Sequence, residues 1–272
     1  LMPELPEVEV TRQGLIPLLK KTIIKVDVRN YSLRWPIDNN LEKILKGQKL
    51  LQLERRAKYI LAKFTNGTLI IHLGMSGRLC IMPLNSQVKK HDHVDFTFGN
   101  DGPILRYTDP RRFGSILWTK NNPMDHKLLC KLGPEPLNQK FNDEYLYQML
   151  RGRQQYIKSV IMDSSIVVGI GNIYASEALF YAGIKPQRRA HKLSKRETHI
   201  LVKYIKEVIN NAIKKGGSTM SDFFDVNGEN GYFQNEHKVY GREGLSCFTC
   251  QSIIKQKRIG QRSSFFCSKC QK

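Results

Sequence analysis

The chain has 272 residues, 40% hydrophobic and 25% charged, which is ordinary for a globular protein and long enough for two domains that each bury a core. Its 44 Lys+Arg against 24 Asp+Glu give a formal net charge of +20, which favours a polyanionic partner, nucleic acid ahead of an acidic membrane. No apolar run of about 18 residues offers a membrane span, and the first residues lack the basic-then-apolar order of a secretory signal, so the reading is cytoplasmic.

In chain order, "LMPELPEVEV" places Pro3 and Pro6 each before a glutamate, with Glu9 following. Proline and carboxylates suit the first turn of a helix, and one is predicted over 7–20 with Val8, Leu15 and Leu19 on its apolar side. From about 22 to 120 the pattern is that of strands. "TIIKVDVRN" alternates through Ile24, Val26 and Val28, Asn66-Gly67 and Asp101-Gly102 mark hairpin turns, and "GSILWT" adds a short strand. This predicts a mainly antiparallel sandwich or barrel. "LGPEPL" (132–137) reads as a linker, and helices follow in "NDEYLYQML", "YIKSVIMD" and "IYASEALFYAG". The longest helix opens on a Ser194-x-x-Glu197 capping box, runs through Ile200, Tyr204, Val208 and Ile213, and stops at Gly216-Gly217. The glycine-rich stretch after it has no clear period and reads as a functional or mobile loop.

Of six cysteines, Cys80 and Cys130 stand alone and read as buried thiols. Cys247-x2-Cys250 and Cys267-x2-Cys270, with 16 residues between the pairs, have the spacing of a four-cysteine zinc site. Four thiolates close the coordination shell, so this zinc is structural. Residues 241–272 carry seven basic residues against Glu243 alone, and "KQKRIGQRSSFF" lies where a metal-clamped ribbon would turn, which suits contact with a nucleic acid. "VVGIGNIY" (167–174) is either a phosphate-holding turn at a helix N-terminus or a plain glycine turn. "DPRRFG" (109–114) either presents arginine and phenylalanine to a base stack or buries Phe113 between two solvated arginines. "KHDH" (90–93) suits phosphate contact or hydrogen bonding better than metal.

The order of "PELPEVE", "RRAKY" (55–59), "HLGMSG", "KHDH", "YTDPRRFG", "LGPEPL", "VVGIGNIYASEALF", "VYGREG" and the terminal "C-x2-C…QR…FFC-x2-C" resembles that of formamidopyrimidine-DNA glycosylases along essentially the whole chain. The resemblance implies an α+β multidomain fold. An N-terminal antiparallel β-sandwich with flanking helices (3–132) and a linker (133–137) would precede a helical helix–two-turns–helix domain (138–238) with a lesion-recognition loop at about 217–233. A β-hairpin zinc finger (239–272) would follow, with DNA in the cleft between the parts. It implies a bifunctional glycosylase and abasic-site lyase for oxidised purines, such as 8-oxoguanine and formamidopyrimidines, acting as a monomer on duplex DNA in the bacterial cytoplasm and nucleoid.

By the same resemblance, Pro3 matches the nucleophile, Glu4 the acid that protonates the deoxyribose ring oxygen and Glu7 a supporting carboxylate. Lys58 matches a proton donor in β-elimination and Arg262 one associated with δ-elimination. His91, Arg111, Asn172 and Arg262 match strand contacts, and Met75, Arg111 and Phe113 match the trio that fills the hole left by the extruded base. Lys158 lies near the matching lesion pocket. The basic run expected around 149–155 carries Arg151 and Arg153, with Gln154 at the contact position. Cys247, Cys250, Cys267 and Cys270 hold Zn2+. An α-amino group titrates near ~8 and a lysine near ~10.4, so at neutral pH the terminal amine offers roughly a few hundredfold more free base. Leu1 and Met2 precede Pro3, and an acylated proline nitrogen is an amide, so both residues must be absent from the reactive chain. Two other readings compete. An endonuclease VIII-like enzyme would prefer oxidised pyrimidines, but "PELPE" and "DPRRFG" point away from it. A non-catalytic damaged-DNA-binding zinc protein would need none of Pro3, Glu4 and Lys58.

Overall fold

In the computed structural model, which describes residues 3–218 and 233–272, the alternating segments of the first half form two four-stranded antiparallel sheets. One follows the order β1 (Ile23–Val28), β6 (Asp92–Phe98), β7 (Ile104–Thr108), β5 (Arg78–Met82). The other follows β2 (Leu50–Arg56), β3 (Tyr59–Phe64), β4 (Gly67–His72), β8 (Ser115–Thr119). Their inward faces share one core, with Ile23, Val26, Phe96 and Phe98 from the first sheet and Leu50, Ile60, Phe64 and Ile71 from the second. This is a sandwich, as the alternation predicts.

Four local details depart from the pattern. A bulge between Ile23 and Lys25 turns Ile23 into the core and leaves Ile24 half-buried. Phe64 pairs with Gly67, so the β3–β4 loop is Thr65-Asn66, one residue earlier than read. Gly67 is the first residue of β4 for want of space, since a Cβ there would lie 2.5 Å from both the Thr119 carbonyl oxygen and the Trp118 ring. Neither lone cysteine is fully buried: Cys80 is half-buried, and Cys130 is exposed, Leu129 taking the inward position of that turn. The opening helix, α1 (Leu5–Gly14), begins earlier and ends sooner than expected. Pro17 lacks the N–H that would continue the ladder, and the chain tightens into a 3₁₀ turn at Ile16–Leu18. A short α2 (Leu41–Leu45) covers β1.

Chain contacts separate after Cys130 into a second unit, to which residues 215–218 do not belong; they return to the first. The second unit contains α3 (Asp143–Leu150), α4 (Ile157–Ile161), α5 (Asn172–Tyr181), α6 (Lys195–Lys214) and the hairpin β9 (Lys255–Ile259) and β10 (Arg262–Phe266). Asn142 caps α3 by accepting from Tyr145 N–H. α5 is buried from Ile173 to Phe180, as an apolar helix at the centre of a core must be. The α6 capping box forms as read, with Ser194 Oγ accepting from Glu197 N–H and the Glu197 carboxylate accepting from Ser194 N–H. Its buried stripe is Leu201, Ile205, Val208 and Ala212; Val208 is as read, while Ile200, Tyr204 and Ile213, each next to a stripe residue, are half-buried. No helix among the described residues is long and apolar enough to cross a membrane.

Gly67→Ala should cost about 1–3 kcal/mol through overpacking against Trp118 and the Thr119 carbonyl. Urea denaturation measures this, and an unchanged midpoint would contradict the close approach.

Candidate active site and metal centre

In the first unit the candidate residues gather around the start of α1. Pro3 is buried and Glu4, 3% exposed, is the helix N-cap. Glu7 completes a capping box, its Oε2 accepting from Glu4 N–H at 2.8 Å, while its Oε1 accepts from Ser218 N–H at 2.8 Å. One buried carboxylate therefore fixes both the backbone of Glu4 and the segment that leaves α6. Lys58 occupies the two-residue Ala57-Lys58 loop of the β2–β3 hairpin, where Ala57 takes φ +54°. Arg55 holds this loop by donating to the Ala57 carbonyl at 3.0 Å, and its Nε reaches Glu9 of α1 at 3.0 Å. Burial pushes the Glu9 carboxyl up, but hydrogen bonds from Arg12 and Gln13 and the charges of Arg12 and Arg55 outweigh it and hold the group below its ordinary range. The Glu9–Arg55 pair thus ties the Lys58 hairpin to the Glu4 helix.

His72 lies across from Tyr59, ring centroids 4.7 Å apart, and its Nδ1 accepts from Gly74 N–H at 2.9 Å. Burial, then the positive charges of Lys58 and Arg34, pull its pKa down to about 4, so Lys58 is accompanied by a neutral imidazole.

The two loops that follow β4 and β7 carry Met75, Arg111 and Phe113. Phe113 is 45% exposed and Arg111 is exposed, its guanidinium carbon 4.9 Å from the Phe113 ring centroid. Of the two readings of "DPRRFG", burial of Phe113 is the one the structure removes. Met75 and His91 are half-buried. His93 is a buried structural residue, its Nε2 hydrogen-bonded to the Asp109 carbonyl at 2.8 Å, and Asp92 accepts from Thr108 Oγ1 at 2.6 Å. "KHDH" therefore leaves Lys90 exposed and His91 half-buried, with Asp92 and His93 turned inward.

In the second unit Asn172 is the first residue of α5, behind a Gly171 N-cap, and its buried Oδ1 has no hydrogen-bond partner among the described residues. Arg153 folds back to donate to the Met149 carbonyl at 2.7 Å, while the Gln154 side chain is exposed. Arg262 is exposed at the head of β10, beside the Gly260-Gln261 turn. Arg262 and Lys158 help line a cavity of about 260 Å³ between α4 and the hairpin tip. Lys158 itself is 1% exposed and its Nζ donates to Ser264 Oγ at 2.8 Å and to the Ser263 carbonyl at 3.2 Å. It therefore ties α4 to β10. The proposed 217–233 loop falls outside the described residues from 219 to 232, as do Leu1 and Met2.

Sequence reasoning passed over Glu177. Its buried carboxylate accepts from the N–H groups of Lys238, Val239 and Tyr240 at 2.8–3.0 Å, and burial pushes its pKa up. Tyr240, so held, packs edge-on against Phe265 of β10 at 5.0 Å. An acid on an apolar helix was the available signal.

The four cysteine sulfurs lie within 4.8 Å of one another, with Cys247–Cys270 at 3.9 Å and Cys250–Cys267 at 3.4 Å. Zinc–thiolate bonds of about 2.3 Å in a tetrahedron place sulfurs about 3.8 Å apart, so the set fits zinc with little adjustment. Cys247 and Cys267 are buried in a small core with Phe180, Val239 and Ile254. Gln271 ties the knuckle to the end of α5, its side chain accepting from Cys267 N–H and donating to the Ile184 carbonyl, each at 2.8 Å.

A two-sheet unit headed by a proline–glutamate helix, with a helical unit that carries a four-cysteine hairpin, defines a zinc-bearing helix–two-turns–helix protein. Residues 2–116 match the formamidopyrimidine-DNA glycosylase N-terminal domain, and residues 132–224 match the H2TH domain of the same enzymes. Over 99% of this chain and 96% of its own length, the formamidopyrimidine-DNA glycosylase of Methylobacillus flagellatus is 51% identical. That of Pectobacterium carotovorum is 50% identical over the whole of both chains. Among solved structures, the MutM (Fpg) protein of Thermus thermophilus superposes with a TM-score of 0.88 at 34% identity, covering 99% of this chain and 98% of that one. Lactococcus lactis Fpg in complex with DNA containing an abasic site gives 0.91 at 32% identity, covering 99% of each. The chain belongs to the formamidopyrimidine-DNA glycosylase family.

Chelation of the metal, or Cys250→Ser, should free the β9–β10 hairpin and leave the sandwich folded, because the two cores are separate. Zinc analysis should give one ion per chain, and hydrogen exchange should rise across 247–272 on its removal; unchanged protection would exclude the clamp. His72 and His237 each titrate near about 4 when folded, against an ordinary 6.5, mainly because they are buried. The unfolded chain binds more protons between those values, so stability present above pH 6.5 should be lost as pH falls toward 4, on the order of 3 kcal/mol per histidine. Denaturation midpoints across that range, flattened in a His72→Gln, His237→Gln variant, check this.

Proposed function

We propose that the chain excises oxidised purines from duplex DNA with Pro3 as nucleophile and then cleaves the strand at the abasic site. The observation that carries this reading is the start of α1, where Glu7 fixes Glu4 directly beside Pro3 and the Glu9–Arg55 pair ties in the Lys58 hairpin.

The steps follow from the groups. With residues 1 and 2 absent, the Pro3 secondary amine attacks C1′ of the damaged nucleoside. The N–C1′ bond forms, the bond from C1′ to the base breaks, and the base leaves with a proton. Glu4 protonates the ring oxygen, the sugar opens, and C1′ becomes an iminium whose charge a secondary amine cannot shed by losing a proton. That electron sink acidifies C2′. Loss of the C2′ proton expels the 3′ phosphate, with Lys58 in the proton transfers, and a second elimination assisted by Arg262 expels the 5′ phosphate. Water then hydrolyses the iminium and returns Pro3.

Met75, Arg111 and Phe113 fill the stack behind the extruded base, consistent with the exposed Arg111–Phe113 pair. His91, Asn172, Arg153 and Gln154 hold the DNA backbone. Lys158 acts on the lesion side by holding the hairpin that bears Arg262. The zinc, held by the four cysteines, supplies rigidity and no chemistry. The domain assignment is a catalytic sandwich (3–132), a linker (133–137), a helical domain (138–238) and a zinc finger (239–272). The enzyme works as a monomer in the bacterial cytoplasm and nucleoid. Complexes of Lactococcus lactis Fpg with Fapy-dG DNA and with abasic-site DNA support this class of ligand. Another contains an oxidised pyrimidine, so a secondary activity on such bases is the second reading.

Borohydride should trap the chain that begins at Pro3 on lesion-containing duplex, and a form whose intact mass retains Leu1-Met2 should give no adduct. Efficient trapping of the longer form would overturn the nucleophile assignment. Glu4→Gln should slow base excision by about 10²-fold or more yet still cleave preformed abasic sites, where no glycosidic bond remains. An 8-oxoguanine:C duplex should be cut in preference to a thymine-glycol duplex; the reverse preference would move the chain to the pyrimidine reading.

A further inference from the structure

Asp109 is fully buried, yet it is the group through which the two filler loops meet. Its Oδ1 accepts from Ser76 Oγ–H at 2.6 Å, and its Oδ2 accepts from Gly114 N–H at 2.9 Å and Tyr107 O–H at 3.1 Å. Burial, and then the Asp109 charge, raise the Tyr107 pKa far above the ordinary phenol value, so the hydroxyl stays a donor. Ser76 Oγ in turn accepts from Arg111 N–H at 3.1 Å. A continuous chain thus runs from the Arg111 backbone through the Ser76 hydroxyl to the Asp109 carboxylate. The hydroxyl serves as acceptor and donor at once, which leaves it one orientation.

The backbones are also in contact. Gly74 has φ +65°, and a Cβ there would lie 2.5 Å from the Phe113 carbonyl carbon and 2.8 Å from its oxygen. Arg112 takes φ +56°, a left-handed conformation that is unfavourable for a non-glycine residue. The loop adopts it so that Arg111 and Phe113 both stay exposed while Asp109 closes the turn through Gly114.

We infer that Asp109 and Ser76 are positioning residues for base extrusion: they clamp the loop carrying Met75 to the loop carrying Arg111 and Phe113, so the three fillers enter the stack as one pre-set body. This rests on the filling role proposed above. Unstacking a base is unfavourable, and fillers that had to be ordered at the same moment would add their own entropy to that cost. The clamp removes that second cost before DNA arrives. Neither residue is placed to touch the reacting sugar, so their effect should appear in extrusion and not in bond-making.

Ser76→Ala removes the hydroxyl bridge, and Ser76→Thr keeps it. Two single-turnover rates separate the steps: excision from an 8-oxoguanine:C duplex, which needs extrusion, and borohydride trapping on a single-stranded oligonucleotide with a preformed abasic site, which has no stack to fill. Ser76→Ala should slow the first about tenfold and change the second less than twofold, while the thermal midpoint falls with the donor lost to Asp109 but stays above the assay temperature. Ser76→Thr should restore the first rate. A 2-aminopurine next to the lesion should report slower unstacking in Ser76→Ala alone. Equal slowing of both reactions, or no slowing of excision, would overturn the clamp. An unaltered chain that excises no base would instead remove the functional reading on which the clamp rests.

Discussion

A carboxylate taken out of water must have its oxygens met by donors, and this demand shapes three loops of the protein. Glu7 accepts from Glu4 and Ser218 N–H, Asp109 from Ser76, Tyr107 and Gly114, and Glu177 from Lys238, Val239 and Tyr240. Each buried acid converts a segment that has no regular hydrogen-bond ladder into one with a defined backbone. The segments so fixed lead to the Pro3–Glu4 start, to the Met75, Arg111 and Phe113 loops, and to the four-cysteine hairpin. In a chain of net charge +20, these acids are more valuable as internal acceptors than as surface charges.

The hairpin shows why such fixing is needed. Two strands of five residues cannot hold themselves in water, and four of the five side chains of β9 are exposed. Its order therefore comes from outside the ladder: the zinc site, the Glu177 nest, the Gln271 tether to Ile184 and the Lys158 bonds to β10. These supports meet on α4 and α5, which are rigid because their apolar faces are buried. Arg262 inherits a fixed origin while its own side chain stays in solvent.

What the sequence made legible were features coded locally. Six of the eight sandwich strands, the Ser194-x-x-Glu197 cap and the two CxxC pairs each depend on residues a few positions apart and form in the segments where they were read, whereas β2 and β5 were not read as strands. The β-bulge at Ile23 and the shifted Thr65-Asn66 loop were not legible, because register and the Trp118 ring decide them, and both lie on other strands. Asp109 and Ser76 are 33 residues apart and Glu177 and Val239 are 62 apart, so no spacing rule links them. Lys158 read as a lesion-side residue, and its burial against Ser264 needs the third dimension. Pro3 and Glu4 were legible in chemistry only by resemblance; as pattern they remain a helix start, which they also are.

The placement of charge follows from the same principle. Withdrawing Glu4, Glu7, Asp95, Asp109 and Glu177 from the surface leaves the solvent-facing balance more basic than the formal net charge suggests. Asp95 does so by accepting from Arg106 and Arg29, and it takes some positive charge inward with it. The basic residues that remain outside include Lys255, Lys257, Arg258 and Arg262 on the hairpin and Arg111 beside Phe113. Phosphates are attracted to such side chains through counterion release, a sequence-independent force that suits a protein whose target is a rare altered base in any context. On the filling role proposed for Met75, Arg111 and Phe113, discrimination then comes from what happens after encounter: whether a base leaves the stack, and whether those side chains are ready to replace it. Loops held by buried carboxylates serve that second stage, and the exposed cations serve the first.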